Sequence, residues 1–339
     1  MIIKTNYIYL TVGFLLCLAP SLARAQVSEP SSVQAYFTKD KIKLDGMPDE
    51  PCWQRAQRIT NFTQRELNNG SPATERTEAA VVYSENSIYI AAWCYDRDPS
   101  GIVAKSLKRD FSYWVDDNFE VVFDTYNNDV DGYVFVVNPN GAMADVMVSG
   151  NGTYFNQDWN GIWSAATVIN SEGWFAEFEI PFSTLKFPDR VDQNWGINFE
   201  RNIRRKQEAV FWQGWSRDYD FEHVSHAGTL LGLRGISGSE TLELKPFAAV
   251  GNSASRGAKP EQTSKFGFDA NYLVTPTLKM NMTVNTDFAQ VESDRAQVQL
   301  SRYSLYFPEK REFFLEGNSE FDFPLFDNGN VFYSRRIGI

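Results

Sequence analysis

Residues 118–148, "NFEVVFDTYNNDVDGYVFVVNPNGAMADVMV", decide the fold class of this chain. Three apolar runs rich in valine and phenylalanine are separated by Asn-Asn at 127–128 and by Asn-Gly at 140–141. Asparagine and glycine are turn residues, whereas valine and phenylalanine are enriched in strands. The pattern therefore predicts three short strands joined by tight turns.

The first of these runs has the period of two expected of a strand. Side chains alternate between the two faces of a strand, so the apolar positions 119, 121 and 123 share one face and are predicted to lie in a core. Glu120 and Asp124 share the other face. At about 3.3 Å per residue they are roughly 13 Å apart, beyond the roughly 5 to 9.5 Å of carboxylate pairs in glycosidases. We interpret both acids as strand-face residues.

The same β pattern extends on both sides of this stretch. Residues 78–96 contain two apolar runs on either side of a Glu-Asn turn at 85–86, and further runs occupy 173–185 and 195–205. A short helix is predicted near Pro51, because proline is favoured at the first position of a helix. Short strands with almost no long helical period predict an all-β chain built on an antiparallel β-sandwich.

The pattern changes after residue 237. Apolar and polar residues alternate through 241–250, 265–274 and 278–285, with a tight turn at 275–277 and a long polar loop before the second segment. This arrangement is typical of the first strands of an outer-membrane β-barrel, although a soluble sandwich gives the same alternation. Since about eight strands are needed to close such a barrel, we expect the chain to be a fragment of a longer barrel protein.

The amino terminus predicts export. Lys4 is followed by an apolar run over residues 7–20 and by Ala-Arg-Ala at 23–25, the features of a cleavable signal peptide. Residues 1–25 are assigned to that peptide, and residues 26–40, which begin rich in serine and proline, to a linker. Cleavage would leave two cysteines, Cys52 and Cys94, for which burial and disulfide pairing both remain open.

Charge and histidine content exclude some functions. The formal net charge is −11, and it becomes −13 once Lys4 and Arg24 are removed with the signal peptide. A strongly acidic chain is a poor ligand for nucleic acid, which requires basic surface. The sequence has two histidines, His223 and His226. Serine or cysteine hydrolase triads are disfavoured because each needs a histidine base held by a third group.

Several motifs between residues 41 and 233 resemble the family 9 carbohydrate-binding modules. They are "LDGMPDEPCWQRA", "YWVDDNFEVVFDT", "GYVFVVNPNG", "QDWNGIWSAAT", "GWFAEFEIPFSTLKF", "WGINFERNIRRKQE" and "HAGTLLGL", in this order. The domain is assigned to residues 41–236. The resemblance implies a β-sandwich that binds glycans, is often stabilised by calcium, and occurs in proteins of carbohydrate breakdown. It implies no catalysis within the module.

The remaining residues, 237–339, resemble the beginning of an uncharacterised outer-membrane barrel family. The likeness rests on "NTDFAQVESDRAQVQLSRYSLYFPEKREFFLEGNSEF" and "FYSRRIGI". In such relatives the barrel commonly follows a sandwich of this kind. The resemblance implies attachment to the outer membrane, and the short turn at 275–277 would place the sandwich in the periplasm.

Sugar binding needs flat aromatic faces surrounded by polar groups. Trp114, Trp159 and Trp215 lie in or beside loops with polar neighbours, and Asp116 and Asp117 directly follow the first of them. We predict that these five residues contribute to an oligosaccharide or polysaccharide site. Packing of the tryptophans in the core is the competing interpretation, since large aromatic side chains are usually well buried.

Two acidic loops are candidates for structural calcium. Asp96 and Asp98 follow an apolar run, and Asp129 and Asp131 lie in a turn. Calcium prefers several oxygen ligands, which these loops offer. Aspartate is also common in solvated turns without any metal, so that interpretation remains open.

The sequence predicts non-catalytic carbohydrate binding by an exported sandwich attached to an outer-membrane barrel, and we assign no catalytic residue. A glycoside hydrolase and a structural accessory of the cell envelope remain as alternatives. The basic run "ERNIRRKQE" at 200–208 is interpreted as a strand edge with exposed ion pairs, although it could also recognise an acidic sugar or a phosphate.

Overall fold

The computed structural model describes residues 31–157, 159–236, 242–253, 261–275 and 278–285. The predicted signal peptide, residues 1–25, lies outside the described residues, as does the motif-bearing segment 286–339. Within the described ranges, no helix is both long enough and apolar enough to cross a membrane.

The described residues form seventeen strands, one α-helix and four short 3₁₀ helices. The strands are β1 Ser32–Gln34, β2 Tyr36–Phe37, β3 Thr63–Glu66, β4 Thr77–Tyr83, β5 Ser87–Tyr95, β6 Asn118–Asp124, β7 Gly132–Val137, β8 Met143–Ser149, β9 Tyr154–Asn156, β10 Ser164–Asn170, β11 Gly173–Pro181, β12 Asp192–Ile203, β13 Glu208–Phe211, β14 Gly228–Arg234, β15 Leu242–Ser253, β16 Glu261–Thr275 and β17 Leu278–Val284. The α-helix is α1 Pro51–Arg55, and the 3₁₀ helices are Pro99–Gly101, Phe182–Thr184, Arg204–Lys206 and Val224–His226.

Two sheets form the predicted sandwich. Among the described residues, one sheet has nine strands, with the order β1-β14-β12-β6-β7-β8-β9, and with β13 paired to β12 and β3 paired to β13. The other has five strands in the order β10-β11-β5-β4-β2. Neighbouring strands are antiparallel except for the pairs β1–β14 and β2–β4, which are parallel. The antiparallel sandwich and the meander of β6, β7 and β8 confirm the prediction made from residues 118–148.

The largest core lies between the two sheets. Strand β6 contributes Phe119, Val121 and Phe123 to it, as its alternation predicted, and β11 contributes Trp174 and Phe178 from the opposite sheet. All five side chains are fully buried. Burial of each such side chain stabilises the fold by about 1.5–3 kcal/mol, so the contact between the sheets supplies most of the apolar driving force.

A second core covers the outer face of the nine-stranded sheet. Val122 of β6 and Val134 of β7 pack there against Phe111 and Phe221, which are carried by two long loops. Strand β6 is therefore buried on both faces. Glu120 lies on this outer face as predicted, but it is covered by the loops and retains only 3% exposure.

A third core covers the outer face of the five-stranded sheet. Helix α1 begins at Pro51, as predicted, and places Trp53 against Trp93 in an edge-to-face contact with 6.3 Å between ring centroids. Glu177 of β11 lies beneath the helix and accepts a hydrogen bond from Trp53 Nε1 at 3.2 Å. The same carboxylate accepts the backbone N–H of Gly46 at 2.9 Å and that of Asp45 at 3.1 Å. One buried acid thus fastens the start of the domain to its sheet.

The prediction that residues 26–40 form a linker is partly wrong. Residues 32–34 form β1, which pairs with β14, and residues 36–37 form β2, which pairs with β4. Val33 is almost fully buried in the main core. Strands of two or three residues are too short to show a recognisable period, so composition alone suggested a linker.

The two cysteines of the sandwich are free thiols. Cys94 belongs to the core between the sheets and Cys52 to the core beneath α1. Both are fully buried. Of the two interpretations that the sequence left open, burial is the one observed.

The predicted strands after residue 237 are confirmed as a three-stranded antiparallel sheet, β15-β16-β17. Its register places Leu244 opposite Ala270 and Ala270 opposite Met282, so apolar side chains of the three strands share one face. Leu244 and Met282 are about half exposed or more. The described residues contain no closed barrel.

Candidate ligand-binding site

A cleft opens on the outer face of the nine-stranded sheet, between the loops of residues 102–117 and 212–223. Its volume is about 270 Å³. The residues that line it are Arg65, Tyr113, Trp114, Glu120, Phe155, Gln157, Glu200, Phe211, Asp220, Phe221 and Glu222. Aromatic rings and carboxyl groups therefore share this surface.

The floor of the cleft carries a pair of glutamates. Glu120 of β6 and Glu200 of β12 stand directly opposite each other in the antiparallel register. Asn202 Nδ2 donates to Glu200 Oε1 at 2.8 Å and lies 3.3 Å from Glu120 Oε1. The same nitrogen lies 2.9 Å from Asn118 Oδ1. Because an amide nitrogen has two hydrogens, it cannot serve three acceptors at full strength.

Glu222, from the loop 212–223, adds a third carboxyl group, and all three glutamates are at least nine-tenths buried. Burial raises the pKa of Glu120 well above its usual value, and the negative charges of Glu200 and Glu222 raise it further. Burial and then Glu222 raise the pKa of Glu200 to about 8. The pKa of Glu222 is raised as well, chiefly by burial. Burial therefore favours the protonated form of all three glutamates, and Glu200 holds its proton near neutral pH.

The arginines around the cleft form their close contacts with groups other than the three glutamates. Arg65 pairs with Asp220 at 2.5 Å and donates to the backbone carbonyl of Tyr219 at 2.8 Å. Arg204 donates to the backbone carbonyls of Asp116 and Tyr113, at 3.0 and 3.1 Å. Across the described ranges, no lysine or arginine forms an ion pair with the three glutamates of the cleft.

Aromatic side chains form the wall of the cleft. Trp114 is 67% exposed, although it lies beside a buried neighbour, Tyr113. The two rings are tilted by 33° with centroids 5.0 Å apart. Phe155 adds a second exposed ring. Trp114, which the sequence predicted as a binding residue, is thus placed in the cleft.

The structure contradicts the prediction that Asp116 and Asp117 form a polar rim, because both are buried. Asp116 accepts hydrogen bonds from the backbone of Lys105 at 3.0 Å and of Ser106 at 2.8 Å, and from Asn138 Nδ2 at 2.9 Å. Asp117 accepts the backbone N–H of Arg204 at 2.7 Å. Short acidic side chains readily capture nearby backbone donors. These two acids hold the loop that carries Trp114.

Trp159 and Trp215 lie outside the cleft. Trp159 packs on the main core, with ring centroids 5.1 Å from Tyr133 and 5.9 Å from Phe135, so its prediction as a binding residue is replaced by the core interpretation. Trp215 is 40% exposed. Its ring covers Gly70, where an added Cβ would lie 3.2 Å from the indole, and it is absent from the described lining of the cleft.

Asp96 and Asp98 are engaged by the protein itself. Asp96 is buried and forms an ion pair with Arg205. Its other oxygen lies 3.9 Å from Nη2 of Arg201, which is also fully buried. Asp98 accepts a hydrogen bond from Ser100 Oγ at 2.6 Å. The guanidinium groups occupy the position that a cation would need beside Asp96.

Asp129 and Asp131 stay near the surface of their turn. Asp131 Oδ2 lies 3.4 Å from Asn128 Nδ2, and the backbone N–H of Asp129 donates to Asp124. The described part of the chain brings together no group of three or more acids, histidines or cysteines that could hold a metal ion. These residues do not fit a complete calcium site, and the calcium prediction rests on the sequence alone.

Two family matches divide the chain. Residues 44–230 match the family described as "Carbohydrate family 9 binding domain-like". Residues 240–339 match a "Domain of unknown function (DUF5916)". No curated protein is detectably similar to the chain in sequence.

Three solved structures are similar to this chain at low sequence identity. A putative carbohydrate-binding protein from Bacteroides uniformis is 12% identical, with a TM-score of 0.50, over 60% of this chain and 99% of that chain. A carbohydrate binding module family 9 from Caldicellulosiruptor kristjanssonii in complex with cellotriose is 14% identical, with a TM-score of 0.44, over 61% of this chain and 95% of that chain. A carbohydrate binding module family 9 from the same organism in complex with glucose is 12% identical, with a TM-score of 0.43, over 59% of this chain and 95% of that chain.

Proposed function

We propose that this chain, which belongs through residues 44–230 to the carbohydrate family 9 binding domain-like family, binds a carbohydrate without chemically altering it. The cleft beneath Trp114 is the proposed site. The observation that carries this proposal is the exposed indole of Trp114 above a floor of carboxyl groups. Single exposed aromatic residues are ordinary on protein surfaces, but here two exposed rings, Trp114 and Phe155, border a concave surface with polar groups, as in ligand sites.

The composition of the cleft suits a sugar ring. One face of a pyranose is covered by C–H groups, which pack on a flat aromatic side chain such as Trp114. Its edge carries hydroxyl groups, which donate to carboxyl oxygens such as those of Glu120 and Glu200. Gln157 and Arg65 offer further polar groups in the lining. The residues present therefore supply both kinds of contact.

The size of the cleft limits how much ligand it can enclose. Pockets that bury drug-sized ligands usually measure about 300–1,000 Å³, and the cleft measures about 270 Å³. It should enclose one sugar unit and leave the rest of a longer chain in solvent. We propose recognition of a single residue of a saccharide rather than of an extended polymer face.

A glycoside hydrolase is the second candidate, because Glu120 and Glu200 form a carboxyl pair at the floor. Retaining enzymes use two carboxyl groups about 5–5.5 Å apart, of which one must be ionised to act as the nucleophile. Here burial raises the pKa of both side chains, that of Glu200 to about 8. Burial thus disfavours the ionised form that a carboxylate nucleophile needs, and this favours binding over hydrolysis.

A panel of oligosaccharides tests the proposal. Titration calorimetry measures binding, and chromatography of the same mixtures detects cleavage products. Binding without products supports a module, whereas new reducing ends would identify a hydrolase. If no glycan in the panel binds and none is cleaved, both functions are rejected, and a structural role in the cell envelope becomes the better explanation.

We also propose that the sandwich is exported to the periplasm and joined to an outer-membrane barrel that begins with β15–β17. The apolar face of this sheet, with Leu244, Phe266 and Met282 exposed, supports the proposal. Polar residues such as Lys245 and Asp269 alternate with them, as in barrels whose outer face meets lipid. Detection of the full protein in the inner-membrane or soluble fraction of cells would contradict this location.

A further inference from the structure

We propose that the cleft prefers an amino sugar with a free, positively charged amino group, held among the carboxyl groups of Glu120, Glu200 and Glu222. This inference rests on the carbohydrate binding proposed above and specifies its ligand class. It follows from the charges, the hydrogen-bond supply and the aromatic wall of the cleft.

The charges of the lining are unbalanced. Four carboxyl groups line the cleft, on Glu120, Glu200, Asp220 and Glu222, against one guanidinium, on Arg65. That guanidinium is already paired with Asp220. Burying acids without a cation is costly, and burial accordingly raises the pKa of the three glutamates. The charges of Arg204 and Arg65 offset part of this effect, but among the described residues neither forms an ion pair with the three glutamates, so a ligand with its own positive charge adds the direct partner that they lack.

The carboxyl groups of the cleft also have too few hydrogen-bond donors in the described part of the chain. The side chain of Glu120 is 97% buried, since its exposure is 3%, and it faces the cleft. The Asn202 amide nitrogen, 3.3 Å from Glu120 Oε1, is shared with Glu200 and Asn118. An ammonium group carries three donors and no acceptor. It could therefore donate to the carboxyl groups that the Asn202 amide serves incompletely.

The aromatic wall favours the same ligand. An ammonium group near the face of a tryptophan, tyrosine or phenylalanine is attracted by the ring quadrupole. Trp114 and Phe155 present exposed rings beside the glutamates, and Tyr113 lies behind Trp114. The carboxyl groups lie at the floor of the cleft and the aromatic rings form its wall. In this setting a charged amine gains more binding free energy than a hydroxyl group.

Three β-1,4-linked disaccharides that differ only at carbon 2 test the inference by titration calorimetry at pH 6. They are the dimers of glucosamine, of N-acetylglucosamine and of glucose, which carry an ammonium, an acetamide and a hydroxyl group. We expect the glucosamine dimer to bind at least tenfold more tightly than the other two. Equal or weaker binding overturns the inference but leaves the proposed function standing if a neutral dimer binds. Binding by none of them overturns the inference, and the wider oligosaccharide panel then decides the proposed function.

Two variants and one control locate the preference. Glu200→Gln and Glu222→Gln each remove one acid of the cleft while keeping its shape, and we expect each to reduce the tenfold preference to less than about threefold. Should Glu200→Gln fail to fold, Glu222→Gln, on a loop, decides alone. Glu85→Gln makes the same substitution at an exposed turn of the other sheet, outside the described lining of the cleft, and should keep the preference.

A free amine distinguishes an amino-sugar site from a general amine site. Spermidine carries ammonium groups but no sugar ring, so we expect it to bind at least tenfold more weakly than the glucosamine dimer. Equal binding of spermidine, or a preference that survives both glutamate substitutions, would overturn the inference.

Discussion

Glu120 and Glu200 face each other across adjacent strands at the floor of the cleft, and one amide nitrogen, Nδ2 of Asn202, lies within hydrogen-bonding distance of both. The same two strands bury Phe119 and Phe199 on their opposite face, with ring centroids 5.9 Å apart. The packing that fixes the sandwich therefore also fixes the distance between the two acids. The cleft is a direct consequence of strand register.

The raised pKa of Glu200 predicts that the stability of the fold depends on pH. The pKa of Glu200 is about 8 in the folded protein, against about 4.3 in an unfolded chain. Between these values the folded state holds a proton that the unfolded state has lost, so stability is complete at low pH and falls as pH rises toward 8. The loss should be on the order of 3 kcal/mol. Urea unfolding at pH 5 and pH 8 measures it.

Glu200→Gln provides the control for that dependence. Glutamine is neutral at both pH values, so we expect the variant to lose clearly less stability than the parent between pH 5 and pH 8. An identical loss in the variant would show that other groups, and not Glu200, carry the effect.

Glu177→Ala should destabilise the sandwich by about 3–5 kcal/mol, since three donors lose their acceptor and each unsatisfied buried donor costs about 1–3 kcal/mol. They are the backbone N–H groups of Asp45 and Gly46 and the indole N–H of Trp53. Thermal and urea unfolding measure the loss. Glu177→Gln keeps the shape and one acceptor oxygen, so its cost should be smaller. Equal stability of the alanine variant and the parent would contradict this role.

Asp116→Ala should weaken both stability and ligand binding. The carboxylate accepts three hydrogen bonds that hold the loop in front of Trp114. Their loss should cost about 2–4 kcal/mol and leave the indole less well positioned. Denaturation and calorimetric titration of the same sample measure the two effects. A variant with reduced stability but unchanged affinity would show that the loop position is not needed for binding.

The local sequence pattern was sufficient to predict many strands but not to predict the binding site. The alternation at positions 119, 121 and 123 predicted correctly which residues of β6 enter the core. It also placed Glu120 on the opposite face, but Glu200 is 80 positions away and only the register of β6 against β12 brings the two together. Register between distant strands leaves no local signal in a single sequence.

Burial of polar residues was the other point that the sequence did not show. Asp116 was predicted to contact the sugar because aspartate is common in exposed loops. Its carboxylate instead accepts hydrogen bonds from the backbone of Lys105 and Ser106. The basic run at 200–208 predicted exposed ion pairs, but Arg201 is fully buried and donates to Thr77 across the sandwich. Asp116 is satisfied by a neighbouring turn of its own loop and Arg201 by a strand 124 positions away, and neither contact shows in the local pattern.

Trp114 tests the central claim, that the cleft binds carbohydrate. Trp114→Ala removes the exposed ring at the cleft, whereas Trp215→Ala removes an exposed ring outside the described lining and serves as the matched control. Unfolding curves first establish that both variants fold.

The most direct measurement is the calorimetric dissociation constant of the tightest-binding glycan of the panel for the parent and these two variants. We predict that Trp114→Ala weakens binding at least tenfold, about 1.4 kcal/mol, while Trp215→Ala stays within about twofold of the parent. Unchanged affinity in a folded Trp114→Ala variant would contradict the assignment of the cleft as the carbohydrate site.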